Sequence, residues 1–137
     1  MTQHPPIAAA SPPHPVRRGT DIALWALQAV TAVAILGAGI STIIGAQQAM
    51  TVFDAIGAGD WFRYLTGVLE VAGAVGLLIP RLCGLAALAL AVLWLVAIAT
   101  HLLLIGGNPA PAIVFVVLTA VIAWGRRAST LKLLPGR

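Results

Sequence analysis

Four long apolar segments divide this 137-residue chain, and they constrain its fold more than any other feature. They cover residues 21–44, 61–79, 82–105 and 110–124, and short stretches containing polar residues, Pro or Gly separate them. A transmembrane helix needs about 20 predominantly apolar residues, which the first three segments supply. The fourth provides only about 24 Å of helix. We expect it to begin slightly earlier, with Pro109 or Pro111 in its first turn.

Composition supports a membrane protein. Apolar residues make up 60% of the chain and charged residues 9%, against about 45–50% and about 25% in soluble domains. These values exclude a soluble enzyme, a disordered chain and a nucleic-acid-binding domain. Backbone groups find no water in lipid, so long spans without alternating polarity must be helices. The sequence therefore predicts an all-α integral membrane protein, built as a bundle of four transmembrane helices.

The remaining segments predict a simple domain organisation. Residues 1–19 are rich in Pro and Ala and are expected to form a disordered arm. Residues 20–127 form the membrane domain, and residues 128–137 a basic C-terminal tail. Residues 45–60, between the first two spans, predict a short amphipathic helix at the membrane interface, with a polar loop as the alternative. Its apolar face comprises Ala49, Met50, Phe53 and Ile56, and its other residues include Gln47, Gln48, Thr51 and Asp54.

The distribution of basic residues predicts the orientation. Four spans place both termini on one side of the membrane, and seven of the eight Lys and Arg residues then lie on that side. Only Arg63 lies opposite. Because cytoplasmic loops carry the excess of Lys and Arg, we expect a multi-pass cell-membrane protein with cytoplasmic termini. Aromatic belts are then expected at both interfaces, from Trp61, Phe62 and Tyr64 outside and Trp25 and Trp124 inside. Arg126 and Arg127 are expected to extend toward the inner interface.

Glu70 is the most informative single residue, because it lies near the middle of the second span. A carboxyl group there is costly and should face the bundle interior, which makes a functional role the default interpretation. Arg63 lies on the same helical face, about 10 Å away along the axis. His101 lies near the outer end of the third span. We predict Glu70, His101 and Arg63 as candidate catalytic residues in one outer polar pocket. The alternatives are a neutral Glu70 bonded to a neighbouring helix and a His101 bonded to a backbone carbonyl.

Seven further residues are candidates for contact with a lipophilic substrate. They are Tyr64, Gly67, Gly73, Thr100, Ser41, Thr42 and Trp61. The glycines leave room for a ligand or let another helix approach closely, and both readings stay open. Gln28 and Thr31 are expected to form hydrogen bonds between helices. Cys83 is the single cysteine, and no His and carboxylate cluster has metal-ligand spacing, so we expect no metal site.

Residues 61–80, with the sequence WFRYLTGVLEVAGAVGLLIP, resemble the second-helix signature of the DoxX-like family. Members of that family are small four-helix membrane proteins with the pattern G-x-L-E-x-x-G-A-x-G-L-L. The similarity extends to Gly37 and Gly39 in the first span and to Thr100-His101 in the third, over residues 21–127. Glu70 matches the family's Glu. Many relatives have a Lys shortly after the first-span glycine, whereas this chain has Ser41 and Thr42 there.

Three functional hypotheses stay open, the first from the resemblance and the other two from the residues themselves. The family's namesake resembles the membrane subunit of an archaeal thiosulfate:quinone oxidoreductase, which favours an accessory or quinone-binding subunit of a membrane redox system. The second hypothesis is a stand-alone enzyme that isomerises, cyclises or opens an epoxide in a lipophilic substrate, with Glu70 as acid or base. The third is a small proton-coupled carrier. The expected partners are the bilayer, a redox protein, a lipophilic molecule and a second copy of the chain, but no nucleic acid. No covalent cofactor is expected, and quinone is the candidate ligand.

Overall fold

The computed structural model describes residues 15–136, and side chains from residue 18 onward, as helices joined by short turns without a strand in that range. This confirms the predicted all-α class. The elements are α1 (Pro15–Ile44), α2 (Gln47–Ile56), α3 (Asp60–Leu77), α4 (Cys83–Thr100), a π-helical turn (His101–Ile105), α5 (Ala110–Gly125) and α6 (Arg127–Leu131). We call the end of the bundle that carries residues 106–109 and α2 the outer end, and the end that carries residues 78–82 and α6 the inner end, after the orientation predicted from the sequence.

The first helix is longer than the sequence suggested. It begins at Pro15 rather than at residue 21, so the last residues of the predicted arm are helical. Pro is well suited to a first helical turn because its fixed φ matches the helix and its missing N–H needs no partner. The rest of the predicted arm, residues 1–14, lies outside the described residues. In α5, Pro111 lies in the first turn, as expected.

The predicted amphipathic helix between the first two spans is present as α2. Gly45, at φ 74°, forms the turn that separates it from α1. Gly57 ends it in the left-handed conformation at φ 72°, and its N–H donates to the carbonyl of Phe53. Glycine adopts this conformation without a steric penalty, and both glycines therefore fix where α2 begins and ends.

Helix α1 packs most extensively against α3, and α4 packs most extensively against α5. Five of the six buried residues of α3 recur every three or four positions, which places them on one face: Arg63, Gly67, Glu70, Ala74 and Leu77. At the crossing with α1, a Cβ added at Gly39 would lie 3.1 Å from the carbonyl oxygen of Gly67. Glycine is favoured at this contact, because a side chain on either helix would have to push the backbones apart by a few tenths of an ångström.

Two helical stretches are long and apolar enough to cross a membrane, namely Arg18–Ile44 and Cys83–Ile105. Helix α3 has 18 residues but includes three charged ones, and α5 is a shorter apolar helix of 16 residues. Large apolar side chains are exposed on several helices; Val30, Leu103 and Trp124 are each more than 60% exposed. An exposed apolar surface of this kind is typical of contact with lipid.

The inner end is held together by a network of buried polar groups. Gln28 is fully buried and donates from Nε2 to the carbonyl oxygen of Leu77, the last residue of α3, at 2.7 Å. Its Oε1 accepts from Nε of Arg126 at 2.6 Å, and Nη1 of Arg126 donates to Asp21. The expected interhelical role of Gln28 is therefore confirmed, whereas that of Thr31 is wrong, because its buried Oγ1 has no partner among the described residues. The side chain of Arg126 turns toward these acceptors of α1, and its position relative to a membrane interface stays a prediction.

Candidate functional site

A cavity of about 390 Å³ lies in the outer half of the bundle. Helices α1, α3 and α4 form its walls, and α2 covers it. The apolar lining residues are Ala38, Ala46, Ala49, Val52, Phe53, Ile56, Phe62, Leu93, Val96 and Ala97. The polar side chains that line it are Ser41, Thr42, Gln48, Thr66, Glu70, Trp94, Thr100 and His101. A largely apolar cavity of this size with a few polar groups is suited to a small lipophilic molecule.

Glu70 is the one carboxyl group among these lining residues, and it is 5% exposed. The close approach at Gly39 brings α1 against it, because a Cβ at Gly39 would lie 3.0 Å from the Glu70 Cβ. Thr42, one turn further along α1, lines the same cavity, and its hydroxyl donates to the carbonyl oxygen of Ala38 at 3.0 Å. Oε2 of Glu70 has no hydrogen-bond partner among the described residues. A buried polar atom without a partner is costly, and such atoms in native proteins often face a ligand or water.

Trp94 provides a second unpartnered group in the same cavity. Its ring stacks on Phe115 at a centroid distance of 4.6 Å, but its buried Nε1–H has no acceptor within the described part of the chain. A buried Trp N–H normally finds a partner. Sequence reasoning missed this residue, since it lies among apolar neighbours in the third span. The signal was its depth: Trp in membrane helices favours the interfaces, and Trp94 lies well inside.

His101 lies at the outer end of this cavity, where the chain passes from α4 into the π-helical turn. Its Nδ1 lies 2.8 Å from the carbonyl oxygen of Ala97. A carbonyl oxygen only accepts, so Nδ1 carries the hydrogen and the neutral ring presents Nε2 as an acceptor. The predicted alternative, a bond to a backbone carbonyl, is therefore present. This bond occupies Nδ1 and leaves Nε2 available as an acceptor for a ligand or for proton transfer.

A second cavity of about 370 Å³ adjoins the first on the outer side. Gln48, Val52 and His101 line both cavities and so separate them. The sequence had placed Gln48 off the apolar face of α2, with the exposed polar residues. In the structure it lies on the cavity side of the helix, one position before Ala49. The second cavity also includes Asn108 and is lined by polar and apolar side chains without a charge.

Arg63 does not line either cavity. It is buried, and its Nη1 donates to the carbonyl oxygens of Thr42 at 2.6 Å and Ile43 at 2.8 Å. Those carbonyls belong to the last turn of α1, where helix carbonyls lack backbone partners and favour a cation. A weaker ion pair with Asp60, at 3.8 Å, holds the other side of the guanidinium. Arg63 thus positions the end of α1, whereas Glu70 and His101 share the cavity.

The predicted substrate contacts separate into two groups. Ser41, Thr42 and Thr100 line the first cavity. Trp61 and Tyr64 are exposed on the outer part of α3. The Arg63 guanidinium lies over the Tyr64 ring, with its Cζ 4.4 Å from the ring centroid.

The two glycines of α3 that were candidates for ligand contact lie in helix contacts. A Cβ at Gly67 would lie 2.6 Å from the Ile43 side chain, and one at Gly73 would lie 2.5 Å from Leu90. The sequence left ligand space and helix packing open as their roles, and the geometry favours packing.

The comparisons with known proteins show the family of the chain. A family model described as the DoxX-like family matches residues 26–125, which include α3, the cavity and His101. No curated protein and no solved structure matched the chain. Within residues 18–136, no group of three His, Cys, Asp or Glu side chains is arranged to hold a metal ion.

Proposed function

We propose that this chain, which belongs to the DoxX-like family of membrane proteins, binds a lipophilic small molecule beside Glu70. The observation that supports this most strongly is the pair of unpartnered polar groups, Glu70 Oε2 and Trp94 Nε1, in one largely apolar cavity. A ligand with a carbonyl oxygen accepts from the Trp94 N–H. The Glu70 carboxyl accepts from a ligand or donates to it, according to whether it carries its proton.

A quinone fits this chemistry, since it combines an apolar body with carbonyl groups that become hydroxyl groups in the reduced quinol. We therefore propose an accessory role in a membrane redox system, in which the electron transfer belongs to the quinone and to a partner protein. A second copy of the chain is a further possible partner. The absence of Arg63 from the cavity fits a binding site better than a site that must stabilise developing negative charge.

The test is to purify the protein from its native membrane in mild detergent and identify the lipophiles that it retains. Wild type is expected to retain a stoichiometric lipophile, and Glu70→Gln to retain at least tenfold less. Asp54→Asn is the matched control, because Asp54 is an exposed acid on α2 that lines neither cavity. Absence of any retained lipophile, together with no binding of added quinone, would contradict the proposal. A co-purifying redox protein would support the accessory role.

A stand-alone enzyme is the second candidate function, and one observation favours it. Glu70 and the free Nε2 of His101 lie in the same cavity, which provides an acid and a base for proton transfer. On this reading the retained lipophile is a substrate that the isolated protein converts. Loss of turnover in Glu70→Gln with an unchanged melting temperature supports the enzyme, and a lipophile that stays unconverted favours the binding role.

We further propose that four helices cross the membrane, with both termini cytoplasmic. Helix α3 is about 27 Å long and packs along α1, so the two helices lie at the same depth. Helix α5 packs along α4 in the same way. In a Cys83→Ser background, Asn108→Cys is expected to react with an impermeant maleimide in intact cells. Ala128→Cys is expected to react only after permeabilisation, and the reverse result would overturn the orientation.

A further inference from the structure

We propose that the ligand carries a hydroxyl group at the outer end of the cavity and donates its hydrogen to Nε2 of His101. This inference rests on the proposed binding function and names the ligand's chemistry at the end opposite Glu70. It begins with the hydrogen bond between Nδ1 and the Ala97 carbonyl. Because Nδ1 is occupied as a donor, the neutral ring offers only an acceptor to the cavity. Within residues 18–136 nothing donates to that nitrogen.

The ring is held in place on two sides. The Ala97 carbonyl fixes Nδ1, and the ring edge lies close to Gly107, where an added Cβ would be 3.2 Å from Cδ2. A π-helical turn begins at His101, and such turns are frequent at functional sites. An immobilised acceptor loses little entropy on binding, so it discriminates well between ligands that have a donor and ligands that do not.

The position of His101 sets the shape of the ligand. Trp94 lies seven residues earlier in the chain, about 10 Å along the helix axis. The unpartnered Trp94 N–H requires an acceptor at the inner end, and the free Nε2 of the half-buried His101 can accept from a donor at the outer end. Apart from Glu70, no charged side chain lines either cavity in the described residues. The inferred ligand is therefore an uncharged, elongated lipophile with an oxygen acceptor at one end and a hydroxyl group at the other.

The test compares two probes that differ only in the donor, para-nonylphenol and its methyl ether para-nonylanisole. Their dissociation constants are measured with the full-length protein in nanodiscs. The constants of the two probes are expressed as a ratio, and the ratios of different variants are compared. All variants are measured in the same bilayer, so the difference in membrane partitioning between the two probes cancels when these ratios are compared. Wild type is expected to favour the phenol by about tenfold, which corresponds to one hydrogen bond with a well-placed acceptor.

His101→Phe keeps a ring but removes the acceptor, and the preference for the phenol is expected to fall five- to tenfold. His101→Gln retains an acceptor and should recover part of it. Gly107→Val displaces the ring without changing it and should also lower the preference. This third variant gives an independent result if His101→Phe does not fold.

Three outcomes separate this inference from the proposed function. An unchanged preference in both His101→Phe and Gly107→Val overturns the hydroxyl assignment while binding itself stands. A preference that disappears in Glu70→Gln but persists in His101→Phe places the hydroxyl at the inner end and also overturns it. Failure of wild type to bind either probe overturns both proposals together.

Discussion

At the inner end of the bundle the amide of Gln28 is bonded on both sides, to the Leu77 carbonyl and to Arg126. In the outer half, Glu70 is buried and Trp94 is half-buried, and each has a buried polar atom without a partner among the described residues. Both regions place polar groups among apolar helices, where such groups are expensive. The Gln28 amide is satisfied on both sides, although Nη2 of Arg126 has no partner among the described residues, whereas the unpartnered atoms of Glu70 and Trp94 belong to residues that line one cavity.

The difference indicates that paired polar groups at the inner end stabilise the bundle, whereas unpaired polar groups in the outer half are retained for function. Paired polar groups join helices, because each would be left buried without a partner if a helix moved away. Unpaired groups around a cavity do not join helices, and natural proteins retain such destabilising features mainly where function requires them. The comparison can be tested by replacing polar residues with apolar ones in each region and measuring the change in the free energy of unfolding.

The largest effect is expected from Gln28→Leu. It leaves the Leu77 carbonyl without its donor and Arg126 Nε without its acceptor, and we expect a loss of about 3 kcal/mol in the free energy of unfolding. Denaturant titration in detergent measures it. Gln48→Leu is the matched control, since Gln48 is exposed at the cavity wall, and its change should stay within about 0.5 kcal/mol. Equal effects would remove the distinction between the two regions.

Arg63→Met should cost about 2 kcal/mol, because two charge-assisted hydrogen bonds to the end of α1 are lost. Amide exchange should accelerate in the turn around Gly45, which follows those carbonyls. Arg127→Met is the control, since Arg127 is exposed beside Trp124. If Arg63→Met instead abolished ligand retention without changing stability, Arg63 would belong to the binding site.

Glu70→Leu should change the free energy of unfolding in the direction opposite to that of Gln28→Leu. Removing an unpartnered carboxyl oxygen from the bundle is expected to raise the free energy of unfolding by about 1 kcal/mol while ligand retention is lost. The same denaturant titration, carried out on ligand-free protein, measures it. A loss as large as that of Gln28→Leu would show that Glu70 is a structural, paired group.

The smallest effect is expected from Phe53→Leu in α2. Its ring meets Phe62 edge to face at 5.9 Å, and losing that contact should cost about 0.5–1 kcal/mol. Hydrogen exchange should accelerate within Gln47–Ile56 and remain unchanged in α1 and α3. Uniform acceleration along the whole chain would mean that α2 is part of the cooperative core rather than a separate cover.

Much of the fold could be predicted from the sequence. The main helices end within a few residues of the predicted limits, because Pro, Gly and charged residues interrupt the apolar segments. Glu70 was predicted to face the interior, since the cost of exposing a carboxyl group to lipid leaves no alternative. The start of α1 and the turn of the Arg126 side chain toward α1 were not predicted, because they depend on neighbouring groups rather than on local pattern.

The candidate site was predicted only in part. Glu70, His101, Thr42, Ser41 and Thr100 line one cavity, as residue type and depth suggested. The sequence could not show which small residues pack helices and which border open space, since both arrangements use the same residues. Nor did it identify Trp94, whose N–H becomes informative only when no acceptor lies near it.

By itself, the sequence determined that helices form, roughly where they end and which carboxyl group is buried. The apolar length of a segment and the need to pair every backbone group act locally along the chain. The tertiary structure decided which polar groups meet. Arg63 and Glu70 share a face of α3, yet the end of α1 takes up the guanidinium and the cavity keeps the carboxyl. A helix fixes the spacing of its side chains, but the neighbouring helices supply their partners.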